Sequence, residues 1–200
     1  MADPIDFYFD YSSPYGYIAA MKIDDLAANH NRSVNWKPIL LGAVFKVTGS
    51  QPLPSLPLKG DYAKCDIPRS ARFLGIPFNY PSRFPISSQA PARAFYWANE
   101  RDPELARSLA KALYQAYFVA DRDISSPDVT ADVAATLGLK RDEVLAALND
   151  PAVKDRLKKE VDAAIALGVF GSPYIVIGGE AFWGVDRFDQ IERWLATGPF

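Results

Sequence analysis

At 200 residues the chain is long enough for a sizeable buried core but short for two unrelated large domains. With 49% hydrophobic, 13% aromatic and 23% charged residues, it lacks the apolar poverty and charge excess of disordered chains. A net charge of -2 supplies no cationic surface for nucleic acid, and no apolar run approaches the roughly 18 residues of a membrane span, so a soluble, cytoplasmic protein is expected.

Ile5, Phe7, Phe9 and Tyr11 alternate along an aromatic run, which predicts a first strand over 5–11. Ser12-Ser13-Pro14-Tyr15-Gly16 breaks it. Ala19, Ala20, Ile23, Leu26 and Ala27 then recur at helical spacing until Asn29-His30-Asn31, so one helix over 17–29 is expected. A second strand over 34–41 would complete a crossover unit with a parallel pair. Eight of the 16 prolines fall between Pro52 and Pro91, and the stretch 42–91 reads as loop with one short helix over 62–74, kinked by Pro68.

From Ala92 the text is helical. Asp102-Pro103, Ser126-Pro127 and Asp150-Pro151 each place a capping side chain ahead of a proline, and the helices they open are predicted to end near Val119, Leu137 and Leu167. Gly168 fits a left-handed cap. Tyr174-Ile175-Val176-Ile177 and Glu180-Ala181-Phe182-Trp183, joined by Gly178-Gly179, read as a hairpin, and a closing helix starts at Asp186. The order implies an α/β sheet domain over 1–45 and 168–200, interrupted by a helical domain over 46–167.

One cysteine, Cys65, and one histidine, His30, leave no disulfide, no metal cluster, no Ser-His-Asp triad and no Cys-His dyad to build. A reactive group must then be a hydroxyl, a carboxylate, an amine or something borrowed. Cys65 is expected to be a small packed residue and His30 a solvent-exposed one. Ser13, at the junction of the first strand and helix, is either a plain N-cap or a hydroxyl aimed at an anion. Gly171-Ser172-Pro173-Tyr174 is either an ordinary trans turn or a cis peptide exposing the Ser172 backbone. Trp183-Gly184-Val185-Asp186-Arg187 is either a capped helix start or a socket for the charged ends of an amino acid. Tyr62, Asp66 and Arg69 share one helix face, which a surface ion pair would equally explain.

These features, in this order, resemble the thioredoxin-like fold of the DsbA-like group. Its redox members open the first helix with Cys-x-x-Cys; here the frame reads Ser13-Pro14-Tyr15-Gly16, and without a thiolate no disulfide exchange is available. The stretch Asp6-Phe7-Tyr8-Phe9-Asp10-Tyr11-Ser12-Ser13-Pro14-Tyr15 resembles the opening of 2-hydroxychromene-2-carboxylate isomerases and of kappa-class glutathione transferases. The resemblance continues through Lys37 to Gly49, Lys59 and Tyr62 with Asp66 and Arg69, Gly75-Ile76-Pro77-Phe78, Val169-Phe170-Gly171-Ser172-Pro173 and Phe182-Trp183-Gly184-Val185-Asp186-Arg187.

It implies glutathione as the cofactor, with the Ser13 hydroxyl holding its sulfur as thiolate. Ser172, ahead of a cis Pro173, would offer its backbone to the cysteinyl part. Val185 and Asp186, in the Trp183-Gly184 motif, would take the γ-glutamyl end, and Lys59 the glycyl carboxylate. Phe45, Gly49, Ser50, Tyr62, Asp66 and Arg69 are the substrate-side candidates. The implied reaction interconverts 2-hydroxychromene-2-carboxylate and trans-o-hydroxybenzylidenepyruvate in the breakdown of naphthalene-like aromatics, without metal, in a homodimer. Two positions where relatives often carry Asn differ: Gly49 is followed by Ser50-Gln51, and the polar residue after Phe84-Pro85 falls at Ser87 or Ser88. The alternatives are a glutathione transferase acting on electrophiles and a cysteine-less binding protein that kept only the shape.

Overall fold

The computed structural model describes residues 3–200. Strand β1 (Ile5–Phe9) lies at the centre of a sheet of order β2-β1-β3-β4. It runs parallel to β2 (Val34–Pro38) and antiparallel to β3 (Tyr174–Ile177), which pairs antiparallel with the edge strand β4 (Glu180–Trp183). Phe7 sits opposite both Trp36 and Ile175. Ile5, Phe7 and Phe9 are fully buried on one face, where Trp36, Phe95 and Tyr114 meet them in edge and tilted aromatic contacts. The crossover, the parallel pair and the hairpin follow the sequence expectation.

Both first strands are shorter than their patterns predict. The first stops at Phe9, because Asp10 turns its carboxylate inward rather than continuing the ladder. The second stops at Pro38, and Leu41 already opens helix α3 (Leu41–Thr48), in text expected to be strand and then loop. The helix expected over 17–29 is two, α1 (Pro14–Ala20) and α2 (Ile23–Asn29), separated by a tightened step in which the Lys22 N–H reaches back to the Ala19 carbonyl. Each half buries its own apolar residues, Ile18 and Ala19 in one and Ile23 and Ala27 in the other.

Helix α4 (Lys59–Phe73) starts three residues earlier than expected and continues through Pro68. The helical block then holds α5 (Gln89–Asn99), α6 (Pro103–Phe118), α7 (Pro127–Ala135), α8 (Arg141–Asn149) and α9 (Pro151–Ala166), and α10 (Phe188–Thr197) closes the chain. Asp102 and Asp150 cap as predicted, accepting from the N–H groups of Glu104 and Leu105 and of Ala152, whereas Ser126 makes no such bond. One continuous core joins the sheet, α1, α2 and α5 through α9. Cys65 is exposed, not packed. It stands beside Lys64 and Asp66 on the outward side of α4, while Ala63 and Ile67 turn inward. His30, the C-cap of α2, is half-buried rather than solvent-exposed, with Nε2 enclosed and no partner among the described residues. Among the described residues no helix is long and apolar enough to cross a membrane.

Candidate active site

The end of β1, the first turn of α1, the loop before β3 and the turn after β4 converge on Ser13. Its φ of -89° and ψ of 114° are the extended values of a helix N-cap, and its Oγ accepts from the Gly16 N–H at 3.0 Å. The cap reading therefore holds, and the hydroxyl has a further use. It donates to the main-chain carbonyl of Ser172 at 2.9 Å. Ser13 is 6% exposed, so a ligand reaches it only along one side.

The Ser172–Pro173 peptide is cis. Among the described residues the Ser172 N–H has no acceptor within the chain, while its Oγ accepts from the Asp10 N–H at 2.9 Å. Close approach here depends on a missing side chain: a Cβ on Gly16 would stand 2.6 Å from Ser172 Oγ and 2.9 Å from the Tyr114 hydroxyl. Gly171 is likewise pressed against the Trp183 indole. That ring is 56% exposed and meets Phe170 edge-on at 4.9 Å, forming an aromatic shelf over the loop.

The turn after β4 is fixed to the same loop by the Gly184 N–H, which donates to the Pro173 carbonyl at 3.1 Å. Gly184 has φ +106°, a conformation glycine adopts without penalty, and a Cβ there would collide with the Asp186 carboxylate. Val185–Arg187 form a 3-10 turn packed against α1. The first N–H groups of such a turn have no partner within it, so Val185 and Asp186 present donors beside an exposed carboxylate. That set suits a ligand carrying both a carboxylate and an ammonium. The Ser172 N–H suits a peptide carbonyl and the Ser13 hydroxyl a sulfur anion, so the residues present fit glutathione at three separate points.

On α4 the predicted trio does come together, and Tyr15, which carries no signal of its own in the sequence, joins it. Asp66 accepts from the Tyr15 hydroxyl at 2.6 Å on one oxygen and from Tyr62 at 3.0 Å and Arg69 at 2.5 Å on the other. Burial alone would raise the Asp66 pKa, but the hydrogen bonds from Tyr15, Arg69 and Tyr62 outweigh it and the net shift is downward. Burial, then the bond to Asp66, raises that of Tyr15. The network ties α4 to the residue two places after Ser13. Lys59, at the start of α4, is exposed and outside this network.

Phe45, Gly49 and Ser50 have no hydrogen bond to the Ser13 turn. Gly49 is the left-handed C-cap of α3, with φ +69°, and the exposed Ser50 follows it. Of the two serines after Phe84-Pro85, Ser88 is buried and points at Asp10. Asp10 stands in the opening motif, but nothing local marks it as a hub because its partners lie up to 162 residues away.

A parallel β-α-β start, a cis-proline loop, a β-hairpin and an interposed helical block define a thioredoxin-fold protein whose first helix opens with serine instead of cysteine. Residues 4–196 match the DSBA-like thioredoxin domain, and the chain belongs to that family. It is 29% identical to glutathione S-transferase kappa 2 of Caenorhabditis elegans, over 98% of this chain and 92% of that protein. It is also 29% identical to the 2-hydroxychromene-2-carboxylate isomerase of Pseudomonas putida, over 94% of this chain and 92% of that one. A solved structure of a 2-hydroxychromene-2-carboxylate isomerase superposes with a TM-score of 0.86 at 28% identity, covering 97% of this chain and 95% of the other.

Proposed function

We propose that this protein binds glutathione and acts as a glutathione-dependent isomerase, interconverting 2-hydroxychromene-2-carboxylate and trans-o-hydroxybenzylidenepyruvate. The observation that carries the reading is the bond from the Ser13 hydroxyl to the Ser172 carbonyl, which sets the hydroxyl beside the partnerless Ser172 N–H. Once the ring C–O bond of the chromene hemiketal opens to the phenol and the 2-oxo acid, glutathione would supply a thiolate able to add to the carbon β to the ketone, leave a single bond free to rotate, and depart again to restore the double bond as trans.

Each candidate site residue then has a defined task. Ser13 swings its hydroxyl proton from the Ser172 carbonyl to the sulfur, and the Gly16 N–H keeps its oxygen in place meanwhile. Since a free thiol has a pKa of about 8.5, a donor to the anion raises the thiolate fraction at neutral pH. The Ser172 N–H takes the cysteinyl carbonyl. Val185 and Asp186 take the γ-glutamyl carboxylate and ammonium, and Lys59 the glycyl carboxylate. The Asp66 network would hold Tyr62 and Arg69 on the side where the aromatic acid enters, with Phe45 on α3 and Gly49 and Ser50 just after it as the further substrate-side candidates. A homodimer in the cytoplasm is the setting this reading carries.

Two measurements test it together: calorimetric titration with glutathione, and ultraviolet monitoring of the chromene acid and benzylidenepyruvate. Saturable binding with glutathione-dependent interconversion supports the reading. Binding accompanied only by conjugation of electrophiles would move it to a transferase, and absence of binding would leave a fold without this chemistry.

A further inference from the structure

Asp10 follows β1 directly, is 2% exposed, and has no task in the reaction described above. Every polar atom it carries is engaged. Its Oδ1 accepts from the Ser12 N–H at 2.7 Å and the Ser88 hydroxyl at 2.6 Å, and its Oδ2 from the Leu41 N–H at 2.7 Å. Its main-chain N–H donates to Ser172 Oγ, while its carbonyl accepts from the Ser13 N–H and the Tyr114 hydroxyl, all at 2.9 Å.

The surroundings define the state of the group. Two main-chain N–H groups, which can only donate, and one hydroxyl face the carboxylate, a set that suits the ionised form. Burial raises its pKa, opposed by the bonds from Ser88, Leu41 and Ser12. The titratable groups nearest it are the buried hydroxyls of Tyr11 and Tyr114, both held neutral by the same burial, and no lysine or arginine pairs with it. A buried charge without a counter-ion is tolerated only where hydrogen bonds satisfy it fully. Here the bonds to the carboxylate come from three separate segments, the Ser12-Ser13 turn, the first residue of α3 and the residue before α5, while the Asp10 main-chain N–H reaches the cis-proline loop.

Resting on the reading of the site given above, we propose that Asp10 is a positioning residue for Ser13. Its carboxylate pins the Ser12-Ser13 turn against the starts of α3 and α5, and its backbone joins that turn to the Ser172 loop. Two effects on a bound sulfur then compete with opposite sign. Holding the Ser13 hydroxyl in place lowers the sulfur pKa, whereas the field of a nearby negative charge raises it.

The test uses Asp10→Asn, which removes the charge but sets an amide NH2 against a backbone N–H, and the milder Ser88→Ala, which keeps the charge and deletes one donor. Three quantities are read: the thiolate absorbance of bound glutathione against pH, the affinity for S-methylglutathione, whose sulfur does not ionise, and hydrogen exchange without ligand over residues 11–20 and 41–49. Positioning predicts that the sulfur pKa rises by about one unit in Ser88→Ala, the scale of one weakened charged hydrogen bond. S-methylglutathione affinity stays within about two-fold, since a ligand without an ionising sulfur gains little from the charged bond. Exchange quickens in both segments together while α9 keeps its wild-type protection. An unmoved or lowered sulfur pKa overturns the proposal. Should the wild-type protein not bind glutathione, the functional reading fails and exchange alone decides: joint loosening of the two segments upholds the role of Asp10, and unchanged protection removes it. Should Asp10→Asn not fold, Ser88→Ala carries every arm.

Discussion

The Ser13 hydroxyl donates to the Ser172 carbonyl across 159 residues of sequence, at 2.9 Å. A serine hydroxyl has one proton, so under the proposed function the donor that a sulfur would take is held beforehand by the loop that would bind the rest of the same ligand. Exchanging one acceptor for another costs little reorganisation.

Ser13→Ala should therefore leave glutathione affinity within a few-fold and cut turnover of the chromene acid. A hydrogen bond to a charged group contributes about 1.5 to 3 kcal/mol, or roughly one to two pKa units on the sulfur. Raising the pH supplies thiolate without the hydroxyl, so the loss should shrink as pH rises. Ser13→Cys should not rescue, because its thiol would take the place of the glutathione sulfur. Full activity of Ser13→Ala at neutral pH would sink the mechanism.

Asp186→Ala should weaken glutathione by about tenfold or more, the scale of one lost charged hydrogen bond. The side chain is 70% exposed and, among the described residues, paired only with Arg187 at 3.5 Å, so its loss should leave the melting temperature nearly unchanged. Calorimetric titration and a thermal melt separate the two effects, and equal affinity in the variant would remove the γ-glutamyl assignment.

The parts of this architecture legible in the sequence are those whose signals are local. Period-two aromatics mark β1, Gly178-Gly179 marks the hairpin, and Asp102 and Asp150 mark two helices because each caps within three residues of itself. Helix α3 is not legible because the group at its start is the Asp10 carboxylate, 31 residues back. The start of α5 is hidden for a related reason: Ser88 spends its hydroxyl on Asp10 instead of capping. Helix α8 begins behind Lys140 with no side-chain cap at all. Within the site, the motif points to Ser13, Ser172 and Asp186, whereas the contribution of Tyr15 depends on a partner 51 residues away that only the fold brings near.

Gly16 offers a packing test independent of any ligand. Alanine is the better helix former by about 1 kcal/mol, so Gly16→Ala would stabilise α1 were space open. The added Cβ would instead meet Ser172 Oγ at 2.6 Å and the Tyr114 hydroxyl at 2.9 Å. Overpacking of this kind costs roughly 1 to 3 kcal/mol, so Gly16→Ala should lower the denaturation midpoint. At Gly42, in α3, an added Cβ would meet nothing within 4 Å, and Gly42→Ala should be neutral or stabilising. A stabilised Gly16→Ala would contradict the close approach of α1 to the cis-proline loop.

Two carboxylates give the protein opposite pH dependences. The Asp66 pKa is lowered: burial pushes it up, but hydrogen bonds from Tyr15, Arg69 and Tyr62 more than reverse this. Its stabilisation is present above the unfolded value near 3.8 and is lost as pH falls through the lower folded value. The Asp10 pKa is raised by burial, so its contribution is full below the unfolded value and is lost as pH rises through the folded one. Tyr15→Phe deletes one donor to Asp66 and leaves Asp10 untouched. Its acid unfolding should therefore begin at a higher pH than in the wild-type protein, with the earliest loss of amide protection in α4, while the Asp10 contribution, which grows as pH falls, is the same in both proteins. Hydrogen exchange followed from pH 6 downward distinguishes the two, and an acid limb identical in Tyr15→Phe and wild type would show that the Tyr15 to Asp66 bond does not hold α4 to the Ser13 turn.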